Sequence, residues 1–275
     1  MSKSKQYVVY GVLVSILFVM IFLGQKAYTN AVTFESLTGE MVAMQGLEES
    51  TKLQLENFAK SILGDLYDAQ RQVNLTEIRE KQQYAMLEAE KFTRYFMYLL
   101  GAMLLSYFVL SLREYTFFGS LTAFITLVFG LVSPLLMITI HKEVEYIGDV
   151  VFSFESKGLM GSVSKLLESG DIVVAIVLGL FSVIIPMLKV LSLFFISIFM
   201  ESRFAHGIVK FFKHIGKWSM LDVFVVAVFL VYLTANKGDI SRAKVEVGLY
   251  FFLAYVIVSM IMSLSADKML HDKVN

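Results

Sequence analysis
The run from Ile172 to Met200 constrains this chain more than any other stretch. It is apolar over more than the length needed to cross a bilayer, yet it carries Ser182, Pro186 and Lys189. About 20 apolar residues suffice for a transmembrane helix, so a spanning helix is predicted here. An ammonium at the bilayer centre costs about 2.5–3.5 kcal/mol even on insertion scales, and such residues face a bundle interior or a wet cavity with a partner. Pro186 removes one backbone donor and frees the Ser182 carbonyl, which predicts a kinked, partly polar groove. The next apolar stretch offers a counter-charge, reading Trp218-Ser219-Met220-Leu221-Asp222-Val223-Phe224 after a basic loop. With both segments helical, Lys189 lies roughly 16 Å above Met200 and Asp222 roughly 6–9 Å inside its own entry. A lysine stem leaning toward the interface closes most of that gap. Ser182 and Lys189 share a helix face, as Ser219 and Asp222 do.

Composition enters where it excludes. With 57% hydrophobic side chains in 275 residues the chain belongs to the membrane class. Zero net charge gives no reason to expect nucleic acid or an acidic substrate. There is no cysteine, which removes disulfides, thiolate metal sites and a cysteine nucleophile together. His141, His206, His214 and His271 show no ligand spacing, so no metal and no other cofactor is expected. The chain has no Gly-rich phosphate loop, no Gly-x-Ser-x-Gly elbow and no His-Glu-x-x-His pair, and is expected not to be an enzyme.

In order, Met1–Lys5 is short and basic, and residues 7–23 form the first expected span. The run is long for a signal-peptide core and no small-x-small site follows, so an uncleaved anchor is expected, with both termini cytoplasmic. Residues 30–92 lack a spanning run but repeat their apolar positions every seven residues, with Phe34, Met41, Leu55 and Ile62 on one heptad position and Leu37, Met44 and Phe58 on the other. Asn74 and Glu77 resemble a capping box, so a second helix is predicted to start there and run into a span at 95–112. The result is an extracytoplasmic helical hairpin. Its stripe either packs the two arms together or docks a partner or ligand.

The third expected span is 117–140. Residues 144–154 then alternate in a β-like manner, with Gly148-Asp149 as a hairpin turn, and a short amphipathic helix follows at 160–167. The remaining spans are 172–200, 218–235 and 249–264. Arg203, Lys210, Lys213 and Lys217 make the loop before Trp218 the clearest cytoplasmic one. Residues 243–247 alternate and are expected to add a strand to the earlier β-element. The expected fold class is therefore an all-α polytopic membrane protein with six transmembrane helices, the hairpin and a small extracytoplasmic β-element. Its two parts are 1–112, two spans flanking the hairpin, and 113–275, a four-helix module.

Gly216-Lys217-Trp218-Ser219-Met220-Leu221-Asp222-Val223-Phe224, preceded by Ile185-Pro186-Met187-Leu188-Lys189, resembles the paraquat-inducible protein A family of bacterial inner-membrane proteins. The order of features agrees over about Phe117 to Ala266: a span closing on Pro134, an outside loop, a Pro-x-x-Lys span, a basic loop, the Trp-Ser-Met-x-Asp segment and a last span. The resemblance implies a membrane subunit in the bacterial inner membrane that moves lipids between inner and outer membranes together with periplasmic MCE-domain proteins. Carried over by position, Ser182, Pro186, Lys189, Ser219 and Asp222 line a polar, lipid-binding groove between the fourth and fifth spans, with Ser259 a further candidate. Better-known members duplicate the module and carry cysteine-rich zinc ribbons, whereas this chain has one module, no cysteine and an added hairpin.

Each of these residues also has a plainer role. Lys189 and Asp222 make a register-fixing ion pair, the serines make interhelical hydrogen bonds, and Trp218 anchors a span at the interface. At the level of the whole chain, the alternative to a lipid transporter is a sensor or scaffold that uses the hairpin.

Overall fold
The computed structural model describes residues 3–59, 64–144, 148–198 and 241–271. Two long helices open it, α1 (Lys3–Ala59) and α2 (Gly64–Leu105). A 3-10 turn, Ser106–Phe108, separates α2 from α3 (Leu112–Val132). Strands β1 (Pro134–Val144) and β2 (Gly148–Gly158) follow, then α4 (Leu159–Glu168) and α5 (Ile172–Gly179). A π-helical segment, Leu180–Ile184, joins α5 to α6 (Ile185–Ile198). Strand β3 (Ser241–Val245) leads into α7 (Val247–His271).

Four of these helical stretches are long and apolar enough to cross a membrane: Lys5–Ala43, Leu112–Val132, Ile172–Ile198 and Val247–Met269. The chain is thus a predominantly helical, multi-pass membrane protein. The fifth expected span, 218–235, lies outside the described residues. The second, 95–112, is not one uninterrupted helix. After Glu88, Glu90, Lys91 and Arg94 the apolar part of α2 runs only to Leu105, about 16 Å at 1.5 Å per residue, against a hydrocarbon core of about 30 Å. There the Ser106 hydroxyl folds back on the Met103 carbonyl at 2.6 Å, and Ser111 and Glu114 build a capping box that restarts the chain as α3.

Three further boundaries differ from expectation for local reasons. The third span was expected to reach residue 140, but α3 stops at Val132 and Pro134 opens β1. Proline cannot donate to a ladder, and the first residue of a strand is one of the places that tolerates it. The Gly148-Asp149 pair belongs to β2, with Gly148 opposite Val144 and Asp149 opposite Glu143, and is not itself the turn. Asn74 does not start a helix, because α2 already runs from Gly64. Glu77 does not turn back to a cap but accepts from Lys81, one turn ahead, at 2.7 Å.

The sheet has the order β2-β1-β3, with both pairs antiparallel. Since α3 feeds β1 and β3 feeds α7, the sheet caps one end of the α3–α7 pair. The Glu246 N–H donates to the Leu135 carbonyl at 3.0 Å and holds that corner. The hairpin rises from the same end, since Phe34 of α1 and Ala85 of α2 pack on Met137 of β1. Thr38 also accepts from Gln82 across the two arms at 2.6 Å.

The core lies where α1, α2, α3 and α7 converge. Phe96 of α2, Phe129 of α3 and Phe251 of α7 form a ring cluster, with the Phe96 and Phe251 centroids 4.8 Å apart at 89°. That edge-to-face arrangement suits the ring quadrupoles. Between α4 and α5, Gly170 takes φ +84°, a left-handed conformation that glycine adopts at little cost, and the Asp171 N–H closes the turn onto the Leu166 carbonyl at 3.0 Å.

A candidate polar site between the fourth and last membrane helices
Sequence alone singles out α6, and its geometry follows from Pro186. A proline at that point leaves the preceding turn short of a donor, and the chain answers by widening into the π segment, where the Ile185 N–H reaches back to the Leu180 carbonyl. Single π turns of this kind recur at functional sites. Ser182 sits inside the widened turn. It is buried, and its hydroxyl has no hydrogen-bond partner among the described residues.

One turn below Pro186, the Lys189 side chain is buried at 6% exposure. Its ammonium donates to the Ser259 hydroxyl on α7 at 3.2 Å. Ser259 in turn donates to the Val256 carbonyl at 3.0 Å, so its one proton is used along its own helix and its lone pair is left for the lysine. On the same face of α7, the Tyr255 hydroxyl donates to the Pro186 carbonyl at 3.3 Å. Tyr255 and Ser259 are wholly buried. Buried Val190 and Leu193 close the surroundings, whereas Leu188, Leu191 and Phe195 point outward, as lipid-facing positions would.

The structure therefore places Lys189 and Ser259 in contact, and puts Pro186 and buried Ser182 on the neighbouring turns of the same span. Ser219, Asp222 and the anchor Trp218 lie outside the described residues. Two participants were not read from the sequence. Tyr255 precedes Ser259 by one helical turn, which is the signal that finds it. Arg113 donates to the carbonyls of Ser197 and Ile198, both at 3.0 Å, and so ties the start of α3 to the far end of the lysine helix. A cation in apolar surroundings, beside hydroxyls and a loosened backbone, can hold an anionic group or relay a proton. Among the described residues no group of side chains has the makings of a metal site.

Residues 114–273 match the family described as paraquat-inducible protein A. A similar protein is a "Probable intermembrane transport protein" of Haemophilus influenzae, 27% identical over 122 residues, which are 42% of this chain and 29% of that protein. The chain thus spans under a third of the length of the curated relative it matches. No solved structure matches the chain.

Proposed function
We propose that this chain, which belongs to the paraquat-inducible protein A family, is the membrane subunit of a lipid-transport system of the bacterial inner membrane. In this reading it hands lipids to or from periplasmic MCE-domain partners and catalyses no reaction itself. The observation that carries the reading is the buried ammonium of Lys189, held by Ser259 beside a proline and a π turn in a membrane-length helix. A headgroup phosphate passing along α6 meets that cation, with Ser182 and Ser259 as hydroxyl neighbours. Ser219 and Asp222, in the stretch expected from sequence to form the fifth span, complete the polar lining, with Asp222 either holding the lysine or exchanging a proton with it. The hairpin and the sheet stand on the periplasmic side.

The test is photocrosslinking to native lipids from a probe at Ser182, with the outward Leu188 as reference, in wild type and in Lys189→Met. Labelling at Ser182 that collapses in the variant while Leu188 labelling holds supports a lipid path. Labelling at both positions that ignores the lysine overturns it and leaves a scaffold or sensor carried by the hairpin.

A further inference from the structure
Where the hairpin leaves the bundle, a cleft of about 380 Å³ opens between α1, α2 and the start of α7. That lies within the range of about 300–1,000 Å³ typical of ligand cavities. Its floor is apolar, formed by Ala31, Phe34, Met86 and Ala89. Its rim carries the exposed Glu90 and Arg94 of α2, and the buried Glu246 of the β3–α7 corner lies in its wall. Tyr98 and Tyr250, both exposed, flank the opening, the position tyrosines favour at a membrane–water interface.

The rim charges differ from two nearby pairs on their helix. Elsewhere on α2, Lys81 pairs with Glu77 at 2.7 Å and Lys91 with Glu88 at 2.8 Å. Glu90 and Arg94 have the same one-turn spacing, yet neither has a hydrogen-bond or ion-pair partner among the described residues. A cation and a carboxylate therefore border an apolar trough without engaging each other.

We propose that this cleft is a second lipid site that seats one zwitterionic phospholipid with a primary ammonium, drawn from the leaflet on the hairpin side. Arg94 takes the phosphate, whose oxygens suit a guanidinium fork. Glu90, with Glu246 on the opposite wall, faces the ammonium, and the first segment of an acyl chain lies on the apolar floor. Charge complementarity selects this occupant: an anionic headgroup would meet two carboxylates, and a purely cationic amphiphile would meet Arg94. The inference rests on the lipid-handling role proposed above and adds a receiving position, at the base of the hairpin, separate from Lys189.

The full chain, washed in detergent and offered equimolar phosphatidylethanolamine and phosphatidylglycerol, is examined by native mass spectrometry. One retained lipid is expected, with phosphatidylethanolamine favoured by about tenfold. Arg94→Ala lowers its occupancy by about tenfold, and Glu90→Gln abolishes the headgroup preference. Both altered rim residues are exposed, and an unchanged melting temperature verifies the fold. Equal or stronger retention of phosphatidylglycerol by wild type, or wild-type behaviour of both rim variants, overturns the proposal. A retained lipid lost in Lys189→Met but not in Arg94→Ala overturns it as well, by moving the lipid to the α6–α7 site. Rim-dependent retention together with lysine-independent labelling at Ser182 would keep this site and reject the groove.

Discussion
Ser259 spends its only proton on the Val256 carbonyl, so toward Lys189 it can act solely as an acceptor, and the two residues are unequal partners. Removing the acceptor leaves a buried ammonium short of a bond, which costs about 1–3 kcal/mol. Removing the ammonium leaves a serine whose own bond survives. Ser259→Ala is therefore expected to destabilise by that amount, and the double variant to match Lys189→Met alone, since without the ammonium the serine has no lysine bond to lose. Thermal melts in detergent decide this. A double variant clearly less stable than Lys189→Met would mean that Ser259 has a role apart from the lysine. At this scale much was legible: a lysine and a proline in an apolar run announce themselves, and the helical period puts Ser182 on the same face as the lysine. Ser259 was legible only as one of several hydroxyls. What singles it out is the way α6 lies against α7, and no periodicity encodes that. Tyr255 was missed because its only mark is its place one turn before Ser259, which counts once Ser259 is singled out.

Helix α3 buries a series of small and hydroxyl-bearing residues, Gly119, Ser120, Thr122, Ala123, Thr126 and Gly130, and much of that series faces α7. Small residues let membrane helices approach closely, where packing rather than the hydrophobic effect drives association. The two glycines differ in what they protect. A methyl group at Gly130 would meet the backbone of Phe252, 2.9 Å from its nitrogen and 3.0 Å from its Cα, which cannot step aside without moving α7. At Gly119 it would meet the end of the Met262 side chain, which has other rotamers. Gly130→Ala is expected to cost about 1–3 kcal/mol and Gly119→Ala less than about 1 kcal/mol, read as shifts in melting temperature. Equal costs would show that the α3–α7 contact adjusts as a whole. Element boundaries were less legible than the elements themselves. Leu135, Leu136, Met137, Ile138 and Ile140 read as more of the third span because hydropathy does not separate a short apolar strand from a helix. Pro134 was the available sign that the helix had ended.

At the scale of the molecule, the hairpin was legible as two apolar-striped helices, but its independence was not. Ala31 of α1 and Ala89 of α2 are buried in the same core as Phe251 of α7, and Phe34 and Ala85 pack on Met137 of the sheet. The base of the hairpin is thus part of the bundle, and removing residues 30–92 takes out core as well as hairpin. That distinction settles how its role can be tested. Joining Ala43 to Thr76 through a short flexible linker keeps the Thr38–Gln82 bond and the contacts on Met137, while removing only the outer part of both arms. Loop closure is cheap at such lengths, with each doubling adding about 0.6 kcal/mol. The shortened chain should melt within a few degrees of wild type, retain its lipid at Arg94 and keep lysine-dependent labelling at Ser182, whereas the 30–92 deletion should fail to fold. Co-purification with a periplasmic MCE-domain protein then reads out the remaining segment. Capture lost only on shortening assigns partner docking to the outer hairpin. Capture retained places docking on the sheet and the hairpin base, next to the cleft. If the shortened chain itself unfolds, the arms beyond Thr38 and Gln82 carry stability of their own, and the division drawn here between base and outer arms is wrong.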